Sequence, residues 1–236
     1  MNNVSLIGIT QPTLYTATQN EDGSWPKDKP MTAEQLIAYC ARVSNPANQD
    51  NPDSEKLLKY LVKNKHWSPF EMVHIILEIQ TTRDIGRQIL RHRSFSFQEF
   101  SQRYAEVVEM SEPREARLQD SKNRQNSIET DNDELQNSWN LVQNEMLLAA
   151  KNYYAWAISK GIAKEVARSV LPEGLTMSRM YMAGSLRSWI TYIALREKNG
   201  TQKEHKLIAL ECKKIICEQF PSVAAALGGN SEEWII

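Results

Sequence analysis

Apolar and polar positions change period several times along the chain, and each change predicts an element. Val4 to Tyr15 alternates in the manner of a strand. Thr32 to Val43 has helical spacing behind a Thr N-cap candidate with Glu34 nearby, and Asp53 to Lys63 reads as a second helix. The run Met72 to Thr82 is β-branched and partly alternating, which predicts a strand feeding directly into a helix that carries Arg83 and Arg87. Residues 106 to 137, with Pro113, Asp120, Asn123, Asn126, Asp131 and Asp133, are polar and poor in large apolar groups, and predict a mobile excursion or lid. Beyond it come a long helix over Leu135 to Lys160, a shorter one over Ala163 to Val170, a strand over Thr176 to Met182, and helices over Ser185 to Arg196 and Gln202 to Glu218. Strands interrupted by long helices without regular βαβ alternation predict one α+β domain over 1–236, with a central, mostly antiparallel sheet flanked by long helices.

Composition narrows the class without choosing a function. At 236 residues, 41% hydrophobic, 24% charged and a net charge of −1, the chain has ordinary globular values and no global pull toward nucleic acid or acidic membranes. No window approaches the length of apolar sequence that spans a bilayer. The odd set Cys40, Cys212 and Cys217, with no apolar leader at Met1 to Ser5, predicts a reducing, cytoplasmic setting instead of a disulfide scaffold. All three cysteines lie in amphipathic helical patterns, where a thiol is an inert small apolar group. There is no His-Glu-x-x-His, no finger-type cysteine spacing and no glycine-rich phosphate loop, so no metal site is expected and any dinucleotide must be held without a Rossmann or Walker motif.

The positive charge is concentrated in one place. Arg83, Arg87 and Arg91 recur every fourth residue, which on a helix puts three guanidinium groups on one face. They lead into Arg91-His92-Arg93-Ser94-Phe95-Ser96-Phe97-Gln98-Glu99-Phe100-Ser101-Gln102-Arg103-Tyr104. The use of Arg to the exclusion of Lys favours bidentate recognition of phosphate or a polar ring edge. A solvated charged helix face is the ordinary meaning of such a run. It loses ground here because Ile85, Ile89 and Leu90 give the same helix an apolar side and place the charges at the edge of a core.

Arg91-His92-Arg93, seven residues, then Ser101, with Glu99 two before the serine and Arg103-Tyr104 after it, resembles the signature of the flavin-dependent thymidylate synthases. Ala41-Arg42-Val43-Ser44, His66 to Glu71, Arg87-Gln88, Arg168 to Pro172 and Arg187-Ser188 to Arg196 follow in the family's order, so the resemblance covers roughly residues 31 to 220. It implies reductive methylation of dUMP to dTMP with FAD as cofactor, methylenetetrahydrofolate as one-carbon donor and NADPH as reductant. It also implies a homotetramer whose active sites combine residues from different subunits. By the same resemblance, His66, Ser68, Arg91, His92, Arg93, Glu99, Ser185, Arg187 and Thr191 meet the flavin. Gln88, Arg91, Glu99, Ser101, Gln102, Arg103, Arg168 and Arg196 meet dUMP, with Arg196 facing the uracil ring as the catalytic group. Ser185 and Thr191 depart from the asparagine common in the family, and Gly200 stands where a histidine often follows the arginine helix. Ser101 has no His-Asp pair to activate it and reads as a binding group. Arg196 also has a plain structural reading, a cation at a helix C-terminus.

Two other functions are compatible with these residues. One is a hydroxymethylase acting on a pyrimidine nucleotide through the same flavin and folate pockets. The other is a single-stranded nucleic-acid binding module in which Arg83 to Arg103 track phosphates while Phe95, Phe97, Phe100 and Tyr104 stack bases.

Overall fold

A computed structural model describes residues 3–14, 30–51, 53–107 and 109–236. The strands are β1 (Asn3–Ile9), β2 (His74–Thr82), β3 (Ser96–Glu99), β4 (Arg117–Gln119), β5 (Ser127–Glu129) and β6 (Met177–Ser185). The helices are α1 (Ala33–Ala41), α2 (Glu55–Lys63), α3 (Arg83–Ile89), α4 (Asp133–Ser159), α5 (Lys164–Ala167), α6 (Leu186–Arg196), α7 (Lys203–Gln219) and α8 (Pro221–Leu227). Among the described residues, β1, β2, β6 and β3 form one sheet in that order with every pairing antiparallel, and β4 and β5 form a separate hairpin. The domain is α+β, with helices packed against a central antiparallel sheet.

The sheet is built on the β2–β6 pair, which runs in unbroken register from His74 opposite Ser185 to Thr82 opposite Met177. Alternation sends Ile75, Leu77 and Ile79 of β2 and Met180 and Met182 of β6 inward, where they meet Trp189, Ile193, Ile208, Cys212 and Ile216 of α6 and α7. Each such side chain contributes about 1.5–3 kcal/mol by leaving water. Trp189 also donates its indole N–H to the Ile75 carbonyl at 3.2 Å, which ties α6 to the sheet at a fixed height.

Several boundaries differ from the sequence reading for identifiable reasons. The first strand ends at Ile9, short of Pro12, which has no N–H to continue a ladder; Tyr15 lies outside the described residues. β6 runs three residues past Met182, through Ala183-Gly184-Ser185, because β2 offers partners there although these small residues have little strand preference of their own. Gly184 is required at its position, since a Cβ would overlap the Phe95 ring. Residues 96–99, for which the sequence pattern predicts no strand, pair with β6 as β3. Thr32 caps α1 through a capping box with Gln35 (3.2 and 2.8 Å), while Glu34 is buried and accepts from the Val223 N–H at the start of α8.

The segment 106–137 contains the β4–β5 hairpin and is tied down by polar side chains, not by apolar burial. Gln143 of α4 receives the Arg114 N–H and donates to the Arg114 carbonyl (2.9 and 2.8 Å). The Arg114 guanidinium bridges Asp84 (2.8 Å) and Thr82 (2.6 Å) at the start of α3.

Candidate functional site

The arginine-rich stretch is shaped by where its apolar residues must go. Ile85 and Ile89 face the core, which turns Arg87 outward, and α3 ends at Ile89 with Leu90 as cap. Arg91 therefore lies beyond the helix, and the expected face of three guanidinium groups contains two, Arg83 and Arg87. The chain then bends through hydrogen bonds from the His92 N–H to the Ile89 carbonyl and from the Phe95 N–H to the His92 carbonyl (3.0 and 3.3 Å). Phe95 plugs the core edge-on to Trp189, with ring centroids 4.8 Å apart. Burying that ring forces Arg91, His92 and Arg93 onto the rim: Arg91 and Arg93 are exposed and, among the described residues, hold no ion pair or side-chain hydrogen bond.

His92 meets Arg196 across the fold. Arg196 closes α6, and its Nε–H donates to His92 Nε2 at 2.9 Å. Burial and the adjacent guanidinium push the His92 pKa down to about 4, so the ring is neutral at physiological pH and is an acceptor. This bond uses Nε of Arg196; among the described residues its two terminal nitrogens hold no protein hydrogen bond. A cation at a helix C-terminus is thereby aimed by a neutral ring, which goes beyond a macrodipole contact.

A second group gathers on the other side of α3. Arg83 is buried within 3.5 Å of Glu99 and 3.9 Å of Glu173, and Arg87 pairs with Glu173 at 3.1 Å. Glu99, at the end of β3, accepts from Ser178 at 2.9 Å. Ser101 Oγ receives the Arg103 N–H at 3.3 Å, a local turn that sets the Arg103 backbone, and Arg103 extends to within 3.4 Å of Glu165. Arg168 is fixed by its Nε donating to the Glu165 carbonyl at 3.3 Å. Arg83, Arg87, Gln102, Glu165, Arg168 and Glu173 line a cleft of about 300 Å³. Gln102 is buried, and among the described residues its amide nitrogen has no partner, which leaves an unspent donor at that cleft.

The residues read as flavin ligands are more dispersed. His66 is exposed after Lys65, whose φ of 57° turns the chain, and its ring stands edge-on to Tyr60 at 5.8 Å. Ser68 is exposed at the start of a 3-10 turn over Ser68–Met72. Ser185 is buried and caps α6, accepting from the Ser188 N–H at 3.2 Å, so its hydroxyl is already engaged. Arg187 and Thr191, one turn apart on α6, are exposed; Arg187 reaches Glu71 at 3.2 Å and Thr191 donates to the Arg187 carbonyl at 3.0 Å. The donor set suits a flavin with a pyrophosphate, since Arg91 and Arg93 offer two unpaired guanidinium forks on the rim.

Other polar residues at the site had no motif to mark them. His205 of α7 is fully buried with its two ring nitrogens 3.2 Å from Gln88 Oε1 and 3.1 Å from the Tyr192 hydroxyl. It lies in an ordinary helical pattern, and the signal that could have found it is a histidine on the apolar face of α7. Glu165 and Glu173 organise the arginines but are charges of a common kind. Among the described residues no group of His, Cys, Asp and Glu could hold a metal ion, and no helix is long and apolar enough to cross a membrane.

The model of the family described as thymidylate synthase complementing protein matches residues 28–222. A flavin-dependent thymidylate synthase of Synechocystis sp. is 52% identical over 225 residues, covering 95% of this chain and 98% of that one. A probable flavin-dependent thymidylate synthase of Paramecium bursaria Chlorella virus 1 is also 52% identical, over 197 residues, 83% of this chain and 91% of that one. The crystal structure of a UMP/dUMP methylase PolB from Streptomyces cacaoi bound with 5-Br dUMP superposes with a TM-score of 0.76 over 99% of this chain and 97% of that one. At 21% identity that likeness bears on the fold.

Proposed function

The chain belongs to the flavin-dependent thymidylate synthase family, and from that premise we propose that it methylates dUMP to dTMP with FAD as cofactor, methylenetetrahydrofolate as one-carbon donor and NADPH as reductant. The observation that carries the reading is the Arg196–His92 pair, a guanidinium anchored by its Nε edge with its terminal nitrogens left for a ligand. Methylation at carbon five of uracil requires electron density in the ring. Arg196, set against the imide nitrogen and carbonyl oxygens, stabilises the negative charge that develops there. His92 holds it without adding a second positive charge, because the imidazole is neutral. Reduced flavin, when bound, supplies the hydride of the reductive step.

Arg103, Arg168 and the buried Gln102 amide bind the dUMP phosphate at the cleft beside α3, Glu99 and Ser101 meet the nucleotide at the end of β3, and Arg91 and Gln88 meet it on the Arg196 side. His66, Ser68, Arg91, His92, Arg93 and Glu99 contact FAD, joined by Arg187 and Thr191 along α6 and by Ser185 at its cap. The enzyme works as a homotetramer with shared sites. Trp139, Leu141, Val142, Leu148, Tyr153 and Trp156 of α4 are exposed, and an apolar surface of that extent supports association. Of the four rings that a nucleic-acid module would stack on bases, Phe95 is unavailable, since it is 9% exposed and packed on Trp189.

The test is the absorbance spectrum of the purified protein, which is expected to show bound oxidised flavin. A colourless protein that also fails to take up added FAD contradicts the proposal.

A further inference from the structure

A chain of five side-chain hydrogen bonds runs behind the site, and its direction is dictated from one end. Arg117 of β4 donates to Glu204 Oε1 at 2.5 Å, with both side chains largely buried. A carboxylate can only accept. Gln202, whose amide nitrogen lies 2.9 Å from Glu204 Oε2, must therefore present N–H there and its oxygen to the next partner. That partner is the Gln88 amide nitrogen at 2.7 Å, so Gln88 turns its own oxygen to His205 Nδ1 at 3.2 Å. Nδ1 then carries the ring proton, and Nε2 accepts from the Tyr192 hydroxyl at 3.1 Å. His205 has no exposed surface, so both nitrogens need these partners. Burial, together with Arg196 and His92, pushes its pKa down to about 3, which keeps the ring in the single-proton form this direction requires.

Gln88 is left with one N–H and one oxygen lone pair whose positions cannot be exchanged. Reversing its amide would set two carbonyl oxygens against each other at Gln202, and Gln202 cannot yield because Glu204 holds it. The orientation of a side chain on α3 is thus fixed by a charge on α7 and a hairpin arginine.

We infer that His205 is a positioning residue for the reaction: together with Gln202 and Glu204 it fixes which end of the Gln88 amide meets the nucleotide, an inference that rests on Gln88 contacting dUMP. The consequence is specificity for the donor and acceptor pattern on the nucleotide. A freely turning amide would present the wrong end part of the time and would leave a polar group unpaired.

The test uses the flavin-loaded enzyme and steady-state kinetics in dUMP. His205→Ala and Glu204→Gln are expected to raise KM about ten-fold, the scale of one neutral hydrogen bond with its partner left unpaired, while kcat stays within about three-fold. His205→Asn, which keeps a donor near the place of Nδ1, restores most of the affinity. Gln88→Ala raises KM similarly, and adding His205→Ala to it costs nothing further, because the second residue acts through the first. If His205→Ala does not fold, the near-isosteric His205→Asn and Glu204→Gln carry the comparison. Full additivity of the Gln88 and His205 effects, or an unchanged KM in Glu204→Gln while Gln88→Ala raises it, overturns the inference. An unchanged KM in Gln88→Ala overturns both it and the reading of Gln88 as a dUMP contact.

Discussion

Replacing Glu197 by Gln leaves the Lys213 ammonium without its counter-charge in the interior of the domain. The pair is 2.7 Å apart with 2% of each side chain exposed. Glu197 also accepts from the Trp234 N–H at 2.5 Å, Lys213 donates to the Glu232 carbonyl at 2.5 Å, and the ammonium lies 5.2 Å from the centre of the Trp234 ring. Removing one member of such a pair costs roughly 3–5 kcal/mol, because the remaining charge stays buried. For a domain of this size each kcal/mol moves the melting temperature by about 2–4 °C, so Glu197→Gln is expected to melt roughly 10 °C lower. The double variant Glu197→Gln with Lys213→Met removes both charges and should recover more than half of that loss. Thermal unfolding followed by circular dichroism, at one protein concentration and one flavin loading, reads the parent, Glu197→Gln, Lys213→Met and the double variant on a common scale. Activity should follow stability in this series, since Glu197 directly succeeds Arg196 and anchors the end of α6. Strict additivity of the two substitutions, or a single variant as stable as the parent, would mean that Glu197 and Lys213 are not energetically coupled.

Arg196→Lys keeps a positive charge but loses the planar fork and the Nε bond to His92; turnover should fall by about 100-fold with flavin content unchanged, and equal turnover would return Arg196 to a helix-end role. Acid should destabilise the protein through two histidines. Both are held neutral, His92 with its pKa pushed down to about 4 and His205 to about 3, so the unfolded chain binds more protons below the ordinary value of about 6.5. Stability is then full above that value and is lost as pH falls toward about 3; a pH series of melting curves should flatten when His92→Gln and His205→Asn are combined, and an unchanged slope counts against the assignment. Burial raises the pKa of all three cysteine thiols, Cys212 the most, which opposes thiolate chemistry; replacing Cys40, Cys212 and Cys217 together should leave dTMP formation within a few-fold, and loss of activity in a folded, flavin-bound triple variant would indicate covalent thiolate catalysis.

Periodicity located the long elements because their apolar faces are set by burial alone. β2 and α6 were legible in this way, and so was the direct passage from β2 into α3. What pairing decides was less legible. β3 and the last three residues of β6 are strands because a neighbour supplies hydrogen bonds, and nothing in Ser96 to Glu99 or Ala183 to Ser185 alternates strongly enough to say so. Arg91, Arg93 and Arg196 stood out because Arg is costly to place at a core edge. His205 did not, since its importance comes from Gln88, a residue 117 positions away that only the packing of α3 on α7 brings within reach. The β4–β5 hairpin escaped notice for the opposite reason: its anchors are the polar side chains of Arg114, Arg117 and Lys203, and polar anchoring leaves no apolar signature.

Incubating the flavin-loaded protein with dUMP, methylenetetrahydrofolate and NADPH and weighing the nucleotide product by mass spectrometry distinguishes methylation from every other outcome. The expected product is dTMP, one methylene heavier than dUMP, formed only when all three small molecules are present. A hydroxymethylated nucleotide, or unchanged dUMP from protein shown to carry FAD, would contradict methylation.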